Sequence, residues 1–245
     1  MARPQPDRVA EAVVQRVRLR YAKRGPLRFS SHRDFQRAFE RAVRRAGVPI
    51  AFSAGFSPHP RISYANAAPT GIASEAEYLE IGLTRKVQPD DLRVALDAAL
   101  PSGMDIIEAV EAHAPDFAER LQASVWQAEL FDVSVEEVQG AVGALLAAPA
   151  AEVTRMTKQG LRTFDARPAL LGIELERAQD AVESVILRLV VRHTTPAVRP
   201  DDILQALFSV GSLQTRTPAR VLRRSQGPLS DDARDVGDPL AADRV

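Results

Sequence analysis

An α+β fold made of two tandem ferredoxin-like units, each running β-α-β-β-α-β, is what the sequence predicts, and three observations predict it. Period-two alternation and apolar stripes of period 3.6 mark the strands and helices of the first half, and a strand followed by a capped helix opens the second in the same order. The segments PDDLRVAL from Pro89 and PDDILQAL from Pro200 then open helices at equivalent places in the two halves. The boundaries follow: a disordered leader 1–13, a first unit 14–118, a second unit 119–224, and a tail 225–245 whose Asp, Gly and Pro content predicts disorder.

In the first unit, Val17, Leu19 and Tyr21 alternate with Arg16, Arg18 and Arg20, which predicts a strand with one buried and one basic face. A turn follows at Lys23-Arg24-Gly25-Pro26. Ser31 stands three residues before Asp34, a capping box, and Phe35, Ala38, Phe39, Ala42, Val43 and Ala46 recur on one helical face until Gly47 and Pro49. A short strand near Ile50 to Phe52, a loop to Pro60, and strands over Arg61 to Ala65 and Glu77 to Thr84 come next. Pro89 opens a helix that Pro101 stops, and Met104 to Glu111 returns as a strand.

The second unit repeats this order. Leu121 to Phe131 reads as a strand, and Ser134 with Glu137 caps a helix to Ala148. Glu152 to Thr157 and Glu183 to His193 are the next strands, with the apolar segment Ala169 to Leu175 unplaced between them. Pro200 opens the last helix, and Ala219 to Arg224 closes the sheet.

Composition excludes several chemistries. With no cysteine, this chain forms no disulfide, thiolate nucleophile, zinc ribbon or cysteine-ligated iron–sulfur cluster. No apolar run is long enough for a transmembrane helix, and Met1 to Gln15 lacks the apolar stretch of a secretory signal, so the expected compartment is the cytoplasm with no membrane contact. No spacing of His, Asp or Glu suggests a metal site, and His113 and His193 stand apart from any motif.

Formal net charge is zero, yet residues 1–66 carry +10 and residues 67–120 carry −7. Such segregation suits an anionic partner, with nucleic acid as the first candidate. Only Lys23, Lys86 and Lys158 are lysines among 32 basic residues. Codon bias alone can raise the arginine count, so placement is the informative property. Arg33, Arg37, Arg41, Arg44 and Arg45 fall within roughly one third of the helix circumference, opposite the apolar set, with Glu40 the one acid near them. A polyanion would relieve their mutual repulsion and release counterions.

The loop Gly55-Phe56-Ser57-Pro58-His59-Pro60 combines a permissive glycine with prolines that stiffen the chain on both sides of His59. Phe52, Phe56 and Tyr64 could stack on unpaired bases and Arg61 could clamp a phosphate; equally, phenylalanines beside short strands are core residues. His32, beside Ser30, Ser31 and Asp34, suits proton transfer or capping. With His59 it forms the alternative catalytic pair of a metal-independent ribonuclease.

The stretch from Arg18 to Leu83 resembles the radical-SAM-linked proteins, a family of unknown function. The residues that carry the likeness are Ser31, His32 and Asp34, the pair Arg44-Arg45, the loop Gly55 to Pro60, and Gly71 with Ser74, Glu77 and Tyr78. Asp165-Ala166-Arg167-Pro168 fits more weakly, and Ala67-Ala68-Pro69 departs from the pattern, which usually has a bulkier residue before the proline. The resemblance implies a module fused after, or encoded beside, a radical SAM enzyme with a cobalamin-type domain. That enzyme would supply the iron–sulfur cluster and S-adenosylmethionine, since this chain has no cysteine to hold a cluster. The expected function is therefore a non-catalytic accessory protein presenting transfer or ribosomal RNA to a radical SAM partner. In this reading Arg33, Arg37, Arg41, Arg44 and Arg45 contact phosphate, and Phe56, His59 and Arg61 shape a recognition loop. The rivals are the ribonuclease and a protein–protein adaptor that binds no RNA. The oligomeric state is not encoded in any motif.

Overall fold

The computed structural model describes residues 10–157, 160–176 and 184–244, in two units: residues 1–118 with 240–245, and residues 119–239. The expected leader 1–13 falls mostly outside the described residues. The first unit contains β1 (Gln15–Lys23), α1 (His32–Arg45), β2 (Ile62–Ala65), β3 (Ala73–Leu83), α2 (Pro89–Ala99) and β4 (Ile106–Glu111). Pairing is antiparallel throughout: β3 lies between β1 and β2, and β1 pairs β4 on its other side, giving the order β4-β1-β3-β2. Ile50 and Phe52 make isolated bridges to Leu83 and Pro60 where a short strand was expected.

Alternation in β1 and β3 sends Val17, Leu19, Tyr21, Leu79, Ile81 and Leu83 to one face. There they pack with Phe35, Phe39 and Val43 of α1 and Leu92 and Leu96 of α2. Tyr21 and Phe35 stack with ring centroids 4.1 Å apart. The N-terminus of α1 is a complete capping box: Ser31 Oγ accepts from the Asp34 amide, and Asp34 Oδ2 accepts from the Ser31 amide.

The second unit follows a short helix α3 (Phe117–Arg120), which spans the division between units. It contains β5 (Ala123–Phe131), α4 (Val135–Ala147), β6 (Glu152–Thr157), β7 (Gly160–Asp165), β8 (Leu170–Glu176), β9 (Ser184–Arg192), α5 (Pro200–Val210) and β10 (Arg220–Gly227). Its sheet order is β10-β5-β9-β8, again antiparallel. One sequence expectation changes here. Glu152–Thr157 is a strand but pairs only with β7 in a separate hairpin, while the unplaced apolar segment becomes β8 and takes the sheet position beside β9. A half-buried strand looks the same in either setting, and the adjacent Gly160–Asp165 captures β6 first.

Helices α4 and α5 approach closely at Gly211, where an added Cβ would collide with Ala141. The turn Asp165-Ala166-Arg167-Pro168 is a structural corner: Asp165 Oδ1 accepts from the Ala151 and Arg167 amides, and the Arg167 guanidinium donates to the Leu146 and Leu170 carbonyls.

The tail expected to be disordered has a defined course through Arg244. Leu229 bridges Val236, and the last residues return to the first unit, where Leu240 and Asp243 are buried. Composition misreads this segment because Ser230 and Asp232 hold a local turn while Asp235, Asp243 and Arg244 meet partners far away in sequence. Among the described residues, no helix is long and apolar enough to cross a membrane.

Candidate nucleic-acid interface

The first unit treats its two sets of arginines differently. On the face of β1 away from the helices, Arg16 pairs with Glu80 at 2.8 Å, and Arg18 pairs with Glu80 at 3.0 Å and Asp243 at 2.6 Å. Arg18 is buried, with its guanidinium 4.8 Å from the Phe117 ring centroid. Arg20 donates to the Glu75 carbonyl, and Arg24 pairs with Glu75 and Asp105. The Glu75 hydrogen bond, with Asp105 behind it, holds the Arg24 guanidinium above its ordinary value despite some desolvation. The basic strand face expected from alternation is thus partly neutralised, because Glu80 of β3 and Asp243 of the C-terminal segment pair with Arg16 and Arg18, while Arg20 is held by a backbone carbonyl.

On α1, Arg33, Arg37, Arg41 and Arg44 are exposed and make no ion pair with any carboxylate among the described residues. Arg45, also exposed, donates to the Ala99 carbonyl at 3.2 Å. The carboxyl of Asp34 is held below the usual carboxylate range, chiefly by its hydrogen bonds to Ser31 and then by the fields of Arg37 and Arg33. That carboxylate is already engaged as a cap. The cationic ridge exists because the apolar face of α1, with Phe35, Phe39, Ala42 and Val43 buried, fixes the opposite face toward solvent.

The loop residues divide. Phe56 is 61% exposed, and Gly55 sits at φ +109°, a conformation that favours glycine. The loop is pinned at its base: the His59 amide donates to Ser53 Oγ, the Ser53 amide donates to the His59 carbonyl, and Pro60 bridges Phe52. His59 and Arg61 line a cleft of about 520 Å3 with Arg16, Ser63 and Glu80. Phe52 and Tyr64 pack against the core rather than stand free. Burial, with Glu40 nearby, pushes the Tyr64 phenol up.

The two candidate catalytic histidines share no hydrogen bond or ring contact among the described residues. His32 is edge-on to Tyr64, 5.0 Å between centroids, and lies 3.0 Å from Gln36 Nε2 on the helix side of β2. His59 lines the cleft with Arg61 and Ser63, which alternate to the other side of that strand.

The remaining motif residues hold the backbone. Gly71, at φ +94°, donates its amide to the Arg28 carbonyl. Ser74, Glu77 and Tyr78 are buried, with Glu77 Oε2 accepting from the Ala68 amide and Ser74 Oγ from the Ala76 amide. Lys23, also buried, reaches the Ala68 and Pro69 carbonyls at 3.4 and 3.3 Å. Pro58 is half-buried within the loop. Among the described residues there is no cluster of three His, Asp or Glu that could hold a metal ion.

One exposed aromatic residue escaped the sequence reading. Phe29, 60% exposed, ends the 3-10 turn Gly25–Phe29 just ahead of α1, with the Arg28 guanidinium 4.5 Å from its ring centroid. The available signal was a large apolar residue in a proline-containing turn flanked by basic residues.

Comparison with solved structures gives distant likenesses. The first is a chain of a Cbf5-Nop10-Gar1 complex, with TM-score 0.44 and 10% identity over 87% of this chain; this chain spans 50% of its length. An unknown protein from Galdieria sulphuraria has TM-score 0.24 and 16% identity, covering 81% of this chain and 90% of that one. DyPB from Rhodococcus jostii RHA1 has TM-score 0.22 and 13% identity, covering 91% and 96%. No match was found among curated proteins. One family model matches residues 16–200, three quarters of the sequence, and the chain therefore belongs to the bacterial family described as Uncharacterized protein conserved in bacteria (DUF2344).

Proposed function

We propose that this protein is a non-catalytic, RNA-binding accessory module of a radical SAM enzyme, with the arginine ridge of α1 as its phosphate-binding surface. The observation that carries this reading is the selectivity of charge neutralisation. Arg16, Arg18 and Arg24 are matched by acids and Arg20 donates to a carbonyl, whereas Arg33, Arg37, Arg41 and Arg44 have no carboxylate partner among the described residues. Codon bias would raise arginine content without regard to pairing. A ridge left unpaired on one helix face fits an external polyanion.

The sheet orders of the two units support reading each as ferredoxin-like, the second with a β-hairpin inserted after its first helix. The resemblance of residues 18–83 to the radical-SAM-linked proteins supports the choice of partner. In this reading the iron–sulfur cluster and S-adenosylmethionine belong to that partner, which is compatible with the absence of cysteine from this chain.

Capture of the tagged protein from its own cells, with and without ribonuclease treatment, tests the proposal. The reading expects transfer or ribosomal RNA in the untreated eluate, and a radical SAM enzyme in both. Protein partners recovered without RNA would instead identify an adaptor.

A further inference from the structure

We propose that the ligand of the α1 ridge is single-stranded RNA and that Phe29 stacks on one of its unpaired bases; this rests on the nucleic-acid reading above and narrows it to one class. Phe29 is 60% exposed on a segment whose backbone is anchored from several directions. The Leu27 amide donates to the Arg24 carbonyl, and the Ser30 amide donates to the Leu27 carbonyl. The Gly71 amide donates to the Arg28 carbonyl between them. Leu27 packs on the core, so the anchor reaches the interior of the unit. A large aromatic held in solvent on such a support loses little conformational freedom when a ligand arrives.

The Arg28 guanidinium lies 4.5 Å from the ring centroid, so a base on the ring would join an existing cation–aromatic stack. Charge complementarity names the occupant. Phe29 stands three residues ahead of the first residue of α1, and Arg33, Arg37, Arg41 and Arg44 follow along that helix. They extend over about 16 Å at the rise of an α-helix. An aromatic platform at one end of a cationic track is the arrangement that binds backbone phosphates and unstacked bases together. Duplex RNA keeps its bases paired and stacked and offers Phe29 no free ring face.

Fluorescence anisotropy with a labelled 12-nucleotide oligouridine and a labelled 12-base-pair RNA duplex tests this on the full chain. Variants are Phe29→Ala, Phe29→Trp and the triple Arg33→Gln, Arg37→Gln, Arg41→Gln. Phe29→Ala is expected to weaken oligouridine binding by roughly tenfold while leaving its salt dependence and duplex binding unchanged. Phe29→Trp keeps the affinity. Equal affinity of Phe29→Ala and the native protein for oligouridine, or equal losses on both RNAs, would overturn the stacking proposal while leaving the ridge intact. Failure of the native protein to bind either RNA would remove the nucleic-acid reading and this one with it. Phe29 is exposed, so its substitution leaves the core unchanged.

Discussion

Four donor contacts converge on Asp243: both of its oxygens lie within 2.7 Å of Arg18 Nη1, and Oδ1 also accepts from the His113 and Ala114 amides. Its side chain is fully buried, so its removal would leave Arg18 with Glu80 and the Ala114 carbonyl alone. Asp243→Ala should therefore destabilise the first unit by about 3 kcal/mol, measured by urea unfolding, because a buried charge loses its main partner. His193 provides a pH signature in the second unit. Its Nδ1 donates to the Leu121 carbonyl at 2.7 Å, so in the neutral ring Nε2 accepts from Ser124 Oγ, also at 2.7 Å. Burial lowers its proton affinity, and Arg223 adds to this, against the opposing hydrogen bond to Leu121. The unfolded chain then takes up the proton first as pH falls. Stability is full above the unfolded value of about 6.5 and declines below it. Thermal melts from pH 8 to pH 5 should show this decline, and His193→Gln should flatten it.

At the scale of elements, α1 trades stability for a charged face. Its five arginines have only Asp34 and Glu40 among them, and Asp34 is engaged as the cap, so repulsion prevails and the triple glutamine variant should be at least as stable as the native protein. The gain is a few tenths of a kcal/mol per like-charge pair relieved, read as a small rise in melting temperature at low salt. Gly211 is the opposite case: Gly211→Ala should cost about 1–3 kcal/mol, because α4 cannot retreat from the new methyl without disturbing its core face. Helix α1 was legible in the sequence because its cap, apolar stripe and cationic stripe agree. Strand β8 was not, because its role depends on which neighbour captures β6. The ion pairing of Arg18 was illegible for a related reason: it meets a residue 225 positions away. Phe29 was missed because a 3-10 turn has no periodicity to reveal its exposed face.

For the molecule as a whole, a net charge of zero conceals a first segment at +10 that the fold only partly neutralises. Carboxylates of β3 and the C-terminal segment pair with Arg16 and Arg18 of the strand, whereas Arg33, Arg37, Arg41 and Arg44 of α1 have no carboxylate partner among the described residues. The β-α-β-β-α-β order of the first half was readable, whereas the separate β6-β7 hairpin, the place of β8 and the returning tail were not. The central claim is that the exposed ridge binds RNA phosphates. Affinity for single-stranded RNA, measured against salt concentration for the native protein and the Arg33→Gln, Arg37→Gln, Arg41→Gln variant, tests it most directly. The account predicts weaker binding by the variant, with a log–log salt slope shallower by about 2, from three lost contacts at ~0.7 each. Superimposable salt plots for the two proteins would contradict it.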